Sequence, residues 1–375
     1  MSSKVKVLQL QYQYDAGVSD LAEQVIRGLP GEQFDVTTAF LCGSPPPEVS
    51  ARGAHRSIYF GFQKSSLAGL RLKVLWALYK FCRREGFDVV IAHRFKPINV
   101  MMILSRWLKI SLCIGVLHRI GDFDRPYRRK QVKRLKKDGW YFVGVSEAVR
   151  QHLLAYGCGF DEHNTFAITN AIDIEKAVTL QLPREEARKK LGLASDALII
   201  GALGRLVPVK GHCYLIEAFA KIEKGYPGAQ LAIIGEGRQR QALQAQIEEL
   251  GLSNQVHLLG FHTTALQYLR AFDVFVMPSL EEGLGLALLE GMCARLPIIA
   301  SSVPAMRPLI AGAGGIAVPP ADVDELAQAL DRYMSLTFSD RQALGQDAFE
   351  YLCREHSIES FREAYKSLIW QGLRR

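Results

Sequence analysis

Glu282 and Glu290 stand eight positions apart, with Gly283 and Gly285 between them. If the intervening residues are helical, the two carboxylates are separated by roughly two turns plus 80°, so they need not meet. They suit two hydroxylated parts of one elongated ligand, with a phosphate held between. The glycines remove the Cβ atoms that would block close backbone approach, and a helix start offers unpaired amides and partial positive charge to an anion. The plainer reading is a buried strand-turn-helix unit whose glutamates are solvated at either end of the helix, and the spacing alone does not separate the two. Two histidines add a second set. His93 closes the apolar run Val89–Ala92 and His118 closes Cys113–Leu117, each at the carboxyl edge of a strand, although a lone histidine serves structure more often than chemistry.

These side chains need elements to hold them. Val274–Pro278 reads as a buried parallel strand, followed by the glycine turn and an apolar segment of helical length. In an open α/β sheet such a turn sits at the carboxyl end of a strand, where ligands bind. Val5–Leu10 reads as the first strand, with a polar loop after it and Gly17 at the turn into a helix over about residues 18–29. Further strands are expected at 34–40, 57–60, 88–92, 112–117, 141–145 and 165–168, with helices between them. That alternation is the pattern of a parallel, doubly wound sheet. Ser146 is placed to cap the helix after its strand. A chain of 375 residues suits two domains, and a polar stretch around Pro183 puts the hinge at about 175–184. The expected domains are 1–178 and 179–357.

The segment Ser279-x-x-Glu282-Gly283-x-Gly285-x4-Glu290-x-Met292-x-Ala294 resembles the Glu-x7-Glu motif of the retaining glycosyltransferases of family 4, also called group 1. The resemblance extends to Gly204-Arg205-Leu206…Lys210-Gly211, Val143–Glu147, Asn170-Ala171-Ile172-Asp173 and Pro297–Ser301. It breaks at Asp15-Ala16-Gly17, where members carry a richer glycine loop, at Ala171, and at Pro304-Ala305 and Pro308, where a Gly-Gly and a glutamate are common. The last departure bears on donor choice. The resemblance implies an α/β fold of the GT-B kind, two Rossmann-like doubly wound domains facing across a cleft, with a last helix in 358–375 packing back on the first. It implies a nucleotide sugar held mainly by the second domain. Arg205 and Lys210 would grip the diphosphate, amides from Gly283, Leu284, Gly285 and Leu286 would support the phosphate and sugar, Glu290 would bind the ribose and Glu282 the sugar hydroxyls. His118, near the anomeric carbon, and the Gly17 loop would close the site from the first domain. Two fixed cations make physical sense there, because the leaving diphosphate gains negative charge as the sugar departs. The implied reaction is hexosyl transfer with retention, from a UDP-hexose as the expected donor, without cofactor or metal. The sequence shows no His/Cys ligand cluster.

Hydrophobic residues make up 49% and charged residues 22%, a globular composition. Seven scattered cysteines without a Cys-x-x-Cys pair read as reduced thiols of a cytosolic protein. The amino terminus opens at once into a strand, leaving no room for a signal peptide, and Arg106 and Lys109 interrupt the most lipid-like window, so no membrane span is expected. The net charge of +8 is uneven: residues 1–180 hold 26 Lys and Arg against 16 Asp and Glu, and the remainder 20 against 22. Eight cations fall within the thirteen residues Arg125–Lys137, expected to be a helix entered through Pro126. In the family the first domain binds the acceptor. A basic one predicts an anionic glycan or glycolipid, such as a phosphorylated lipopolysaccharide core or another cell-envelope polysaccharide, at the inner face of the cytoplasmic membrane, with peripheral contact through Arg125–Lys137. Leu67–Arg84 is a second, amphipathic candidate for that contact, or else ordinary core. Two other readings stay open: a GT-B nucleotide-sugar epimerase, and a nucleic-acid-binding module built on the basic run. No recognised nucleic-acid motif accompanies that run.

Overall fold

The computed structural model describes residues 4–14, 16–43 and 56–374, with backbone alone over 16–20. The chain divides into two compact units, residues 1–170 with 358–375, and residues 171–357.

The first unit is built on seven parallel strands: β1 (Val5–Gln11), β2 (Phe34–Phe40), β3 (Arg56–Tyr59), β4 (Val89–His93), β5 (Leu112–Leu117), β6 (Trp140–Gly144) and β7 (Thr165–Ala167), in the order β3-β2-β1-β4-β5-β6-β7. Strands β1, β4, β5 and β6 are almost wholly buried, as expected of parallel strands covered by helices on both faces. Ser146 caps the helix Glu147–Tyr156, its Oγ accepting from the Val149 amide at 3.3 Å. The helix Ile358–Leu373 belongs to this unit. Its Trp370 ring lies 5.2 Å from Phe34, Cβ atoms added at Gly28 and Gly372 would come within 2.7 Å of Arg362 and 2.6 Å of Leu112, and Arg362 Nε donates to Gln24 at 3.1 Å.

The second unit carries β8 (Ile199–Leu203), β9 (Gln230–Ile234), β10 (Val256–Gly260), β11 (Val274–Met277), β12 (Ile298–Ser301) and β13 (Ile316–Val318), in the order β10-β9-β8-β11-β12-β13. Successive residues serve opposite faces. Ile199, Ala232, Ile234, Phe275 and Ile298 enter one core, while Ile200, Leu231, Ile233, Val274, Val276 and Ile299 enter the other. The division between units falls at Asn170 and Ala171, earlier than the expected 178, because the helix Ile174–Leu180 packs against the helix Leu286–Cys293 of the second unit. A buried ion pair ties the entry of this unit to its sheet. Arg188 donates to Asp273 Oδ2 at 2.8 Å and to the Ala271 carbonyl at 2.8 Å, and Asp273 also accepts from the Ile199 amide at 2.7 Å.

All seven cysteines are free. Among the described residues no helix is long and apolar enough to cross a membrane.

Candidate functional site

In the second unit the chain runs β8, β9, β10 outward to one side and then returns to lay β11, β12, β13 on the other. The order therefore reverses between β8 and β11, neighbours paired in parallel with Val274 opposite Ile200. Ligands of open α/β sheets bind outside the carboxyl ends at such a reversal. The turn after β8 carries Gly204–Gly211 and the turn after β11 carries Pro278–Gly285. The two are knitted together. The Leu280 amide donates to the Val209 carbonyl at 2.8 Å, and Gly211, at φ +67°, lies so close that a Cβ there would stand 2.0 Å from the Pro278 oxygen. Lys210 Nζ consequently reaches Glu282 Oε1 at 2.6 Å, with side chains 17% and 13% exposed. Arg205 is exposed, and it lines an open depression of about 520 Å³ with Val207, Pro208, Val209 and Arg238. Neither arginine has a carboxylate partner among the described residues. His212 sits behind this turn at 2% exposure, and burial, reinforced by Lys210, lowers its pKa to about 4.

Gly285 is the N-cap of the helix Leu286–Cys293 and adopts φ +105°, a conformation L side chains rarely take. The Met306 sulfur stands 3.1 Å from where its Cβ would be. The loop carrying Pro304-Ala305 and Pro308 therefore backs the glycine turn directly. Helix and strand approach closely at Gly291, where an added Cβ would meet the Phe275 ring at 2.7 Å, so the helix start is fixed relative to β11. Leu284 is 4% exposed and packs into the core, leaving only its main chain to face a ligand. Glu290 lies half-buried within the helix.

In the first unit the order reverses between β1 and β4. His93 ends β4, and His118 follows β5. The His93 Nδ1 and His118 Nε2 atoms lie 3.1 Å apart, with rings stacked at 5.3 Å. Burial holds His93 down to about 3, and burial together with His93 and Arg94 holds His118 well below the ordinary range, so both rings are neutral at pH 7. One nitrogen must then donate to the other. His93 Nε2 is buried without a partner among the described residues. A bare lone pair there costs less than an unpaired N–H, which assigns the shared proton to His93 Nδ1 and leaves His118 to present Nδ1–H. Arg94, just beyond, holds φ +67° and ψ 164°, a region essentially reserved for glycine, and such strain collects at functional sites. Gly17 lies inside the first turn of the helix Ala16–Arg27, slightly later than the turn in which the sequence put it. Residue 15, and the side chains of 16–20, lie outside the described residues.

The basic run forms the helix Pro126–Leu135 with Pro126 in its first turn, but half of its cations are engaged locally. Arg128 donates to the Asp122 carbonyl at 2.6 Å and stacks on Phe95, Arg129 donates to the Asp124 carbonyl at 2.6 Å, Lys136 to the Gly159 carbonyl at 2.9 Å and Lys137 to the Ser105 carbonyl at 3.1 Å.

Sequence reasoning missed Arg238. It follows Gly235-Glu236-Gly237, a Gly-x-Gly too common to single out, and only the pairing of β9 with β8 brings it beside Arg205. Among the described residues no group of three or more His, Cys, Asp or Glu is close enough to hold a metal.

Residues 183–351 match the family described as glycosyl transferases group 1, and residues 16–176 match glycosyltransferase family 4. The chain is 31% identical over 288 residues to the lipopolysaccharide core biosynthesis glycosyltransferase LpsE of Rhizobium meliloti, covering 76% of this chain and 77% of that protein. It is 26% identical over 346 residues to the Escherichia coli UDP-Gal:alpha-D-GlcNAc-diphosphoundecaprenol alpha-1,3-galactosyltransferase, covering 88% of each. The crystal structure of Anabaena Alr3699/HepE in complex with UDP superposes with a TM-score of 0.81 at 19% identity, over 98% of this chain and 100% of that one, and shows the fold to be GT-B.

Proposed function

The chain belongs to the group 1, family 4 glycosyltransferases, which use nucleotide-sugar donors, and from that premise we propose that it moves a hexosyl unit from a UDP-hexose to an anionic glycan or glycolipid, with retention and without a metal or other cofactor. The observation that carries the reading is the Lys210–Glu282 pair beside the unpaired Arg205 at the strand-order reversal. A diphosphate entering there competes for Lys210, and Glu282 is released to accept hydrogen bonds from sugar hydroxyls. Arg205 and Lys210 then stabilise the charge that builds on the leaving phosphate. Open amides at the Leu286 helix start add partial positive charge beside it, and Glu290 binds the ribose. The leaving phosphate itself helps to take the acceptor proton, so no carboxylate has to act as a covalent nucleophile. His118, the candidate from the first unit, is neutral and offers a donor N–H to a sugar hydroxyl rather than a positive charge.

Donor and acceptor classes draw support from the relatives. The Escherichia coli relative's name specifies UDP-Gal and a diphosphoundecaprenol-linked acceptor, and the Anabaena neighbour was solved with UDP. The reading puts this protein at the inner face of the cytoplasmic membrane, acting on lipopolysaccharide core or another envelope polysaccharide. The experiment is a binding and hydrolysis screen against UDP-glucose, UDP-galactose, UDP-N-acetylglucosamine, GDP-mannose and ADP-heptose, with and without EDTA, on the wild type and Arg205→Ala. One UDP-sugar that stabilises the wild type, is indifferent to EDTA and loses its effect in the variant supports the assignment. Preference for another base, or loss of activity in EDTA, overturns the corresponding part.

A further inference from the structure

The helix Leu72–Glu85 of the first unit buries Val74, Leu78, Phe81 and Cys82, which are enough to hold it on its sheet. Its opposite face is not the polar surface such a helix usually shows. Leu70 is 80% exposed, Leu72 69% and Trp76 59%. Leu72 and Trp76 stand one turn apart on the same face, and Arg71 between the two leucines is in the left-handed region at φ +54°. Residues 69–84 contain Arg71, Lys73, Lys80, Arg83 and Arg84 and no carboxylate. Lys80 Nζ lies 4.7 Å above the Trp76 ring, Tyr79 stacks beside it, and Arg83 reaches the Tyr79 hydroxyl at 3.0 Å. Arg84 is paired with Glu85 at 2.8 Å, whereas Lys73, Lys80 and Arg83 have no carboxylate partner among the described residues. Clustered exposed apolar side chains mark an interaction surface, and these three cations around them select a partner with negative charge at its rim and an apolar interior.

We propose that this face, Leu70, Leu72 and Trp76 ringed by Lys73, Lys80 and Arg83, docks the protein on an anionic lipid bilayer. The leucines and the indole enter the boundary between headgroups and acyl chains, and the cations meet the phosphates. The basic run Arg125–Lys137 is the weaker candidate, because Arg128, Arg129, Lys136 and Lys137 already serve main-chain carbonyls. The proposal deepens the reading above by locating the surface on which a lipid-anchored acceptor would be met.

The test uses the full chain in flotation with vesicles of phosphatidylcholine alone or mixed with phosphatidylglycerol, and follows tryptophan quenching by brominated acyl chains. The wild type is expected to float with the anionic vesicles only and to show quenching. Leu70→Ser/Leu72→Ser/Trp76→Ser is expected to lose at least tenfold in partitioning, and Lys73→Gln/Lys80→Gln about fivefold for each cation removed. All these side chains point to solvent, so unchanged urea unfolding confirms that the variants fold. Anionic-vesicle binding that survives the triple substitution, or that is absent in the wild type, overturns the proposal. So does a wild-type dimer that the triple substitution dissociates, since a second copy would then cover the face. Donor hydrolysis is read separately: lost flotation with intact hydrolysis supports docking, whereas absent hydrolysis with intact flotation strikes the transferase reading alone.

Discussion

Replacing the two partners of the Lys210–Glu282 pair should change UDP affinity in opposite directions. The pair is 2.6 Å long and its side chains are 17% and 13% exposed, so each group is largely withdrawn from water and has the other as its close counter-charge. Lys210→Met removes a charge-assisted hydrogen bond to the diphosphate, of about 1.5–3 kcal/mol, which corresponds to roughly 10- to 150-fold weaker UDP binding. Glu282→Gln removes the carboxylate that the diphosphate must displace. A neutral partner competes less, by about 0.5–1.5 kcal/mol, so UDP should bind about 2- to 10-fold more tightly. Turnover of the UDP-sugar should nevertheless fall, because the contact to the sugar hydroxyls is weakened. Titration calorimetry with UDP on the wild type and both variants, followed by hydrolysis rates with the full donor, measures both effects. Equal weakening of UDP by both substitutions would show that the pair acts as a fixed structural unit, and the exchange of partners would be refuted. No change in either variant would remove Lys210 from the diphosphate site.

Gly285→Ala forces an L side chain to φ +105° against the Met306 sulfur, and should lower stability by about 1–3 kcal/mol while weakening UDP; a urea midpoint and a UDP titration read the two effects. Arg188→Met leaves Asp273 buried with part of its counter-charge gone and should cost about 3–5 kcal/mol, seen as a lower denaturant midpoint; an unchanged midpoint would mean that Arg184 alone neutralises the carboxylate. Burial holds His93, His118 and His212 below their ordinary range, so between pH 7 and the folded values the unfolded rings take up protons that the native rings refuse. The unfolding free energy should therefore fall with falling pH, by about 1.4 kcal/mol per pH unit for each ring below about pH 6.5; urea unfolding at about pH 7.5 and 5.5 checks the sign, and a flat profile would mean that the rings are solvated.

The strands of the first sheet and β11 of the second were legible because parallel strands buried on two faces are written as short apolar runs near glycine and proline punctuation, as at Val274–Met277 and Val89–Ala92. The glycine turn and its helix were legible for the same reason. What could not be read was which turns lie side by side. Lys210 and Glu282 are 72 residues apart, and only the insertion of β8 next to β11 brings them into contact. Arg238 had no motif of its own to announce it. The basic run was only partly legible, for a different reason. Cation density along the chain measures charge, but whether a guanidinium faces solvent depends on carbonyls such as those of Asp122 and Asp124, which become available only where the loop before the helix folds back on it. The exposed leucines were hidden in the opposite sense, since Leu72 and Leu78 look alike in sequence and differ only in which face of one helix they occupy.

The placement of the helix Ile358–Leu373 sets an order of events during synthesis. A ribosome makes the seven strands of the first unit early, but Phe34, Leu112 and Gly28 meet their partners Trp370, Gly372 and Arg362 only when the last helix emerges. The second unit, whose residues are contiguous, can close while the first still waits with an apolar strip uncovered. A nascent chain stalled or clipped before residue 358 would therefore expose a surface on the half that was made first, and chaperone demand and proteolytic sensitivity should concentrate there.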